Sequence, residues 1–403
     1  MKLNQGQEAA LAALMDFLST DEKYFVLEGE GGVGKTTVLK SLEGALSTFN
    51  EHRKLFCLPT YSDLLFCATT NKAATLFDRA STIHKCFSLR VIADHSTGKT
   101  HTAPTSKTKV LTNSILVIDE ASMIDGEMEK IIDDYTDSTS TKVIFLLDHC
   151  QLAPVGEQYP RVHLRGYATA TLTEPMRQDP NSHLYKQCHS LREAVKYEQR
   201  APIIAGEYVR IVSSETFTTE LLESCRNQES CRAIAYSNKH VENINAFIRH
   251  HLTGSTLFRV GDVVTVASAI DNNAVHVEGS YIVQDIDPAI FDKFGIPCSM
   301  ILLNGVWFPF PRDKAKYFAV KKRIEKEAKA SGDWKLHFTL ANSILDVRDG
   351  FACTAHKAQG STYDKVFIDM SDLSKCIDPV TYLRLAYVAI SRARKEVIVY
   401  TGE

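Results

Sequence analysis

The sequence contains 10 cysteines but no Cys-x-x-Cys pair. Scattered from Cys57 to Cys376, they provide neither a zinc set nor a disulfide frame, and they predict reduced, mostly buried thiols in a cytoplasmic compartment. No apolar run is long enough to span a bilayer, which removes membrane readings. The opening Met1-Lys2-Leu3-Asn4-Gln5 leads into a polar stretch, so the basic and apolar segments of a secretory leader are not expected. Basic charge is also in short supply: 46 Lys and Arg face 49 Asp and Glu, a net charge of -3. Such a chain does not hold nucleic acid through a general positive field, so any grip on phosphates must be local. Internal repeats and low-complexity tracts are absent.

At 403 residues, 44% hydrophobic and 24% charged, the chain has the size and balance of two or three ordinary globular domains. Short apolar runs alternate with helical patterns: Phe25-Val26-Leu27, Leu64-Leu65-Phe66, Ile115 to Ile118 and Val143 to Leu147. Continuous apolar strands separated by helices predict a parallel sheet covered on both faces. A second such set, near Tyr208 to Val212, Ala233 to Tyr236, Val366 to Ile368 and Val397 to Tyr400, predicts a second α/β lobe. Two stretches break the rhythm. The polar segment Leu89 to Thr108 reads as a hairpin or loop inserted in the first lobe, and Phe258 to Leu345 reads as a small β-domain inserted in the second. The expected division is therefore 1–88 with 109–165 for the first lobe, 89–108 for the hairpin, 166–257 with 346–403 for the second lobe, and 258–345 for its insert.

Gly29-Glu30-Gly31-Gly32-Val33-Gly34-Lys35-Thr36 matches the phosphate-loop pattern and sits between a predicted strand and a predicted helix, the context that the motif requires. Its glycines allow backbone N–H groups to wrap phosphates at a helix N-terminus, Lys35 reaches the β and γ phosphates of ATP, and Thr36 holds Mg2+. The strand Ile115 to Ile118 ends in Asp119-Glu120, at the edge where such sheets place ligands. Asp119 is the second expected metal residue, and Glu120 is expected to orient or deprotonate the attacking water.

Later segments resemble the superfamily 1B DNA helicases of the RecD and Dda-like group, in the family's order and over nearly the whole chain. Leu3-Asn4-Gln5-Gly6-Gln7 resembles the adenine-reading segment, with Gln7 offering its amide. Asp148 to Val155 resembles the motif whose glutamine, here Gln151, senses the γ-phosphate. Leu172 to Gln178 and Tyr387 to Arg394 resemble the two motifs that bring arginines, Arg177 and Arg392, to the triphosphate. Thr37 and Gly360 complete the nucleotide residues that the resemblance implies. Leu147 stands where the family has glycine, and Ala153 replaces the first of two prolines.

For the DNA side, Ala68 to Ala74 and Ser81 to His84 resemble the first-lobe contact motifs, giving Thr70, Thr82 and His84. Thr354 to Thr362 resembles the second-lobe motif, giving Thr354, His356 and Lys357. Hydroxyls, backbone N–H groups and one lysine hold a sugar-phosphate chain without reading bases. For Thr70, Thr82 and His84, helix capping or local satisfaction stands as the alternative. The resemblance implies an α/β fold of two RecA-like lobes with a pin-like hairpin and an SH3-like insert. It also implies 5' to 3' movement on single-stranded DNA, a monomer acting on tailed or forked duplex, and a single-strand-binding protein or replisome component as partner. The charged run Pro311 to Glu327 reads better as a solvated helix face than as a DNA tract, and Trp307, Phe308 and Phe310 read better as a small core than as base-stacking rings. The hairpin itself has no aromatic to wedge between bases. A nucleotide-switched DNA clamp or loader is the rival reading, and a P-loop kinase is a more distant one.

Overall fold

The computed structural model describes residues 3–69, 80–154, 156–176, 179–255, 257–268, 274–277 and 279–402. The apolar runs of the first lobe form one six-stranded parallel sheet, ordered Ser81–Thr82, Asp63–Ala68, Ser114–Asp119, Lys142–Leu147, Tyr24–Gly29, Ala168–Leu172. Alternate side chains serve opposite faces. Leu27, Ile115, Val117, Ile144 and Leu146 pack with Val38, Leu39 and Leu42 of the Lys35–Leu55 helix, while Val26, Leu116, Ile118, Val143 and Phe145 pack with Ile131 and Ile132 of the Gly126–Tyr135 helix. Each fully buried side chain of this size contributes about 1.5–3 kcal/mol. With both faces covered, the Lys142–Leu147 strand is buried from end to end.

The second lobe is a five-stranded parallel sheet, ordered Ala352–Thr354, Cys231–Ala235, Tyr363–Asp369, Ala393–Tyr400, Val209–Ile211. Its largest apolar cluster unites Val366, Ile368, Val397 and Val399 with the His183–Tyr197 and Pro379–Ser391 helices. Cys150 and Leu152 from the first lobe are buried in that same cluster.

The expected boundary at 165 requires correction. Ala168–Leu172 pairs in parallel with Tyr24–Gly29 and completes the first sheet, and helix His183–Tyr197 is the first element packed into the second lobe. The signal was ambiguous because Ala-Thr-Ala-Thr-Leu is too weakly apolar to stand out as an edge strand.

The hairpin is present as Leu89–Ala93 paired antiparallel with Thr100–Pro104. The insert of the second lobe contains two three-stranded antiparallel sheets, with Phe258, Val264, Val266, Ile301, Phe308 and Phe310 in one core. Phe308 and Phe310 are buried as expected, whereas Trp307 is 42% exposed. One sheet closes on Val347–Asp349, so the insert's β structure runs past the expected limit of 345. Two helices unforeseen as a pair, Lys314–Ser331 and Lys335–Ala341, follow the second sheet. Lys321, Lys322 and Arg323 lie along the first of them, where Arg323 and Lys329 face Glu327 and Glu325 at helical spacing.

The hairpin turn rests on this helical pair. Trp334 N–H donates to the His95 carbonyl at 2.9 Å, and the His95 and Phe338 rings meet edge to face at 5.4 Å. Gly98, at φ +74°, lies so close that a Cβ there would overlap the Trp334 ring.

Candidate active site

The phosphate loop owes its shape to glycines at positions where a side chain is excluded. Gly32 and Gly34 have φ of +94° and +89°, a region that side chains disfavour. At Gly29 a Cβ would come within 2.7 Å of the Leu172 carbonyl and of Val33. Lys35 opens the following helix, and its ammonium donates to the carbonyls of Gly29 and, at 3.1 Å, of Glu30.

A cavity of about 470 Å³ lies over this loop, within the size range of small-ligand sites. The first lobe lines it with Gly31, Gly32, Gly34, Lys35, Thr36, Thr37, Asp119, Glu120 and Gln151, and the second with Gly360, Tyr387 and Arg392. Lys35 and Arg392 therefore face one space from opposite lobes. Gly29 and Val33 shape the loop from behind; Val33 is buried, and its carbonyl accepts from Gln7 Nε2 at 3.2 Å.

Gln7, expected to read adenine, is engaged by the chain itself in the described structure. Its Oε1 accepts from Asn4 N–H at 3.2 Å while Asn4 Oδ1 accepts from Gln7 N–H at 2.8 Å, a reciprocal helix cap. With Nε2 on Val33, both ends of the amide brace the phosphate loop, and Gln7 does not line the cavity. The sequence pattern carried this cap, Asn followed three residues later by Gln, as clearly as it carried the amide.

Burial and the neighbouring Glu120 push the Asp119 carboxyl up to about 6, against the opposing pull of Lys35. Glu120 takes φ +52° at the start of a short turn, Ala121–Met123, and its N–H donates to Asp119 Oδ1 at 2.8 Å. Two close acids and the Thr36 hydroxyl on one cavity wall form an oxygen donor set suited to a hard divalent cation. A different trio, Glu28, His149 and His163, has ligand atoms within 4.8 Å. Its imidazoles stack at 4.6 Å and 13°, however, so their lone pairs run side by side instead of converging.

Gln151 is 5% exposed, with Nε2 3.4 Å from Asp148 Oδ2. Its loop is gripped by the second lobe: Tyr387 Oη donates to Asp148 Oδ2 at 2.7 Å, and Arg384 donates to the His149 carbonyl and, at 2.6 Å, to the Gln151 carbonyl. Arg392 is held by the Val388 carbonyl at 3.1 Å, the Ser391 hydroxyl at 2.9 Å and the Ser361 carbonyl at 3.4 Å. Arg177 lies outside the described residues; Met176, next to it, lines the cavity and donates its N–H to the Gly32 carbonyl at 3.0 Å. Tyr387, Arg384, Gln359 and Ser122 were given no role from sequence, although Tyr387 and Gln359 stand inside the motifs read there.

Thr70 is also outside the described residues. Thr82 caps a short helix, accepting from Lys85 N–H at 3.2 Å, which is the local alternative foreseen for it. His84 is tied to the hairpin through Thr102 at 3.3 Å, and burial lowers its pKa. Thr354 caps Ala355–Ala358 by accepting from Lys357 N–H at 3.3 Å, and burial lowers the pKa of His356. Thr354 and Lys357 line a second depression with Arg232, Asn238, Thr265 and Ser280, between the second lobe and its insert. The last four carried no distinctive motif in the sequence.

A phosphate loop and an Asp-Glu strand end, faced across a cleft by a second RecA-like lobe, define a P-loop ATP hydrolase of tandem-lobe type. The AAA domain family model matches residues 2–196, and the UvrD-like helicase C-terminal domain model matches 349–400. The ATP-dependent DNA helicase Dda of Enterobacteria phage T4 is 22% identical, with 98% of each chain covered. The uncharacterized protein R530 of Acanthamoeba polyphaga mimivirus is 27% identical over 38% of this chain, which spans 34% of that relative. A Pif1 helicase structure described for unwinding of forked double-stranded DNA, and the Bacteroides Pif1 helicase with ADP-AlF3 and single-stranded DNA, share the fold. Each has a TM-score of 0.54 and 18% identity, with 99% of this chain and 92% of theirs covered. Over its whole length the chain is thus similar to superfamily 1B helicases of the Pif1 and Dda type. Among the described residues no helix is long and apolar enough to cross a membrane.

Proposed function

We propose that the chain hydrolyses ATP between its lobes and uses the resulting closure and reopening to move 5' to 3' along single-stranded DNA. The observation that carries this is the shared cavity, in which Lys35, Thr36, Asp119 and Glu120 face Gly360 and Arg392 of the other lobe. Lys35 binds the β and γ phosphates, Glu120 orients the attacking water, Gln151 senses the γ-phosphate, and Arg392 with Arg177 stabilises charge on the transferring group. Mg2+, held by Thr36 and Asp119, would neutralise phosphate charge.

The DNA track in this reading runs past the Thr354 and Lys357 depression, extended by Asn238, Arg232, Thr265 and Ser280. Hydroxyls, an amide and two cations suit a backbone grip indifferent to sequence, which reconciles a net charge of -3 with a DNA substrate. In this reading Thr70, Thr82, His84 and His356 also contact the DNA, and the insert 258–345 acts as an SH3-like clamp. A monomer working on tailed or forked duplex, with a single-strand-binding protein or replisome component nearby, completes the proposal.

Displacement of streptavidin from oligonucleotides biotinylated at either end tests it. ATP-dependent release from the 3' end alone is expected. Release from the 5' end alone reverses the polarity, and ATP turnover without release from either end establishes the static clamp instead.

A further inference from the structure

We infer that Gln359 is a positioning residue for ATP hydrolysis, reaching from the second lobe to hold the Glu120 carboxylate and so tying turnover to the DNA-facing helix beside it. The inference rests on the function proposed above and specifies how one lobe commands the other. Gln359 Nε2 donates to Glu120 Oε2 at 3.1 Å and to Ser122 Oγ at 2.9 Å. Gln359 is 6% exposed, so this contact is shielded from water that would compete for either partner.

The orientation of the amide follows from its partner. A carboxylate only accepts, so the NH2 end must face Glu120, and Oε1 is turned away. Oε1 is buried and finds no hydrogen-bond partner among the described residues, so the side chain leaves one acceptor unmet in order to make the contact with Glu120. Among the described residues the Glu120 carboxylate has no other hydrogen-bond donor. Its neighbour Asp119 is a like charge that would drive it away. Oε2 is the atom that Gln359 holds, and Glu120 lines the cavity.

Gln359 is the C-cap of the Ala355–Ala358 helix, whose N-cap is Thr354. Thr354 and Lys357 line the proposed DNA track, and Gly360, one residue beyond Gln359, lines the nucleotide cavity. A phosphate that fixes the helix from one side therefore fixes the amide on the other. The carboxylate is held only while the lobes are together, which makes hydrolysis conditional on a closed, DNA-engaged arrangement.

The test is steady-state hydrolysis by the full chain with saturating oligo-dT, alongside oligo-dT and ATP-analogue binding. Gln359→Ala is expected to lower kcat by at least about tenfold while KM for ATP and the Kd for oligo-dT stay within about twofold, the pattern of an interaction made in the transition state. Gln359→Glu should fall at least as far, because an ionised carboxylate cannot donate. A kcat within about threefold of the parent in Gln359→Ala overturns the inference, as does a loss of kcat matched by an equal loss of DNA affinity. If that variant melts early, Ser122→Ala decides: a reduced kcat at unchanged KM supports the anchor, and an unchanged kcat refutes it. A parent enzyme without oligo-dT stimulation would sink the proposed function itself, whereas a stimulated parent with unimpaired Gln359 variants sinks only this inference.

Discussion

Tyr387→Phe isolates one hydrogen bond between the lobes. The ring is 1% exposed and packs in the second-lobe core, so phenylalanine keeps its shape and removes only the hydroxyl. Burial and the nearby Asp148 hold the Tyr387 phenol well above its ordinary pKa, so it is a donor, and it gives Asp148 Oδ2 a bond of 2.7 Å. A buried hydrogen bond to a charged group contributes about 1.5–3 kcal/mol. Asp148 retains the Cys150 N–H at 3.2 Å, Gln151 Nε2 at 3.4 Å and Arg192 at 3.6 Å, which argues for the lower part of that range, about 2 kcal/mol. Because the bond joins the Gln151 loop to the other lobe, this energy is expected mainly in the closed-to-open balance, a shift of up to about 30-fold. Oligo-dT-stimulated ATP hydrolysis should show kcat/KM reduced by roughly that factor, with the melting temperature lowered by only a few degrees. A kcat/KM within twofold of the parent would refute the idea that this bond helps hold the cleft closed.

Lys35→Ala should abolish hydrolysis while single-strand binding, measured by fluorescence anisotropy, remains; full turnover in that variant removes the phosphate-loop assignment. Arg392→Ala should retain ATP-analogue binding and lose hydrolysis, so normal DNA-stimulated turnover would exclude the finger role. The third expectation concerns pH. His240 Nε2 pairs with Asp369 at 2.6 Å, and this hydrogen bond raises the His240 pKa above its ordinary value. A raised folded pKa means that the pair's stabilisation is complete below about 6.5 and fades as pH climbs through the folded value. Thermal melts from pH 6 to 9 should thus show less loss of stability in His240→Gln than in the parent, and identical slopes would assign the pH dependence elsewhere.

The nucleotide half of the site was legible because its chemistry is local. A phosphate loop needs particular backbone angles at Gly32 and Gly34 and a lysine at the next helix start, and all of these are written in consecutive residues. The Asp119-Glu120 strand end is equally short in range. Residues acting across the cleft were not legible in the same way. Tyr387 and Arg384 stand on a nearly all-buried helix, where their polar atoms look like exceptions in a core until Asp148 and the carbonyls of His149 and Gln151 come into view. Gln7 shows one amide serving two motifs, and in the described structure it is engaged by the helix cap and the Val33 carbonyl. At Thr82 and Thr354 the hydroxyl accepts from the Lys85 and Lys357 N–H, so the cap takes up one helix-start donor at each site and leaves the hydroxyl's own proton unused by the cap. The Ala168–Leu172 strand was misassigned because parallel pairing at a sheet edge leaves little hydrophobic signature.

The departures at Leu147 and Ala153 put coupling through Gln151 in question on sequence alone. Leu147 is 1% exposed in the first-lobe core and Ala153 is 8% exposed, so both side chains are packed away from solvent. What then fixes the loop is the second lobe, through Tyr387, Arg384 and the apolar seats of Cys150 and Leu152. Gln359 on Glu120 is another bridge, and the hairpin turn against Trp334 a third. Each bridge joins a first-lobe element with a job in the proposed cycle, whether sensing phosphate, activating water or meeting the duplex, to a second-lobe element that moves when the cleft opens. In the proposed cycle, separation of the lobes would strain or break all three kinds of contact, and re-forming them on ATP binding would supply a common event that moves a polar hairpin without aromatics together with the lobes. The aromatic at its tip, Trp334, is contributed by the opposite lobe, so any wedge that acts at a fork would be assembled only while the two halves are in register.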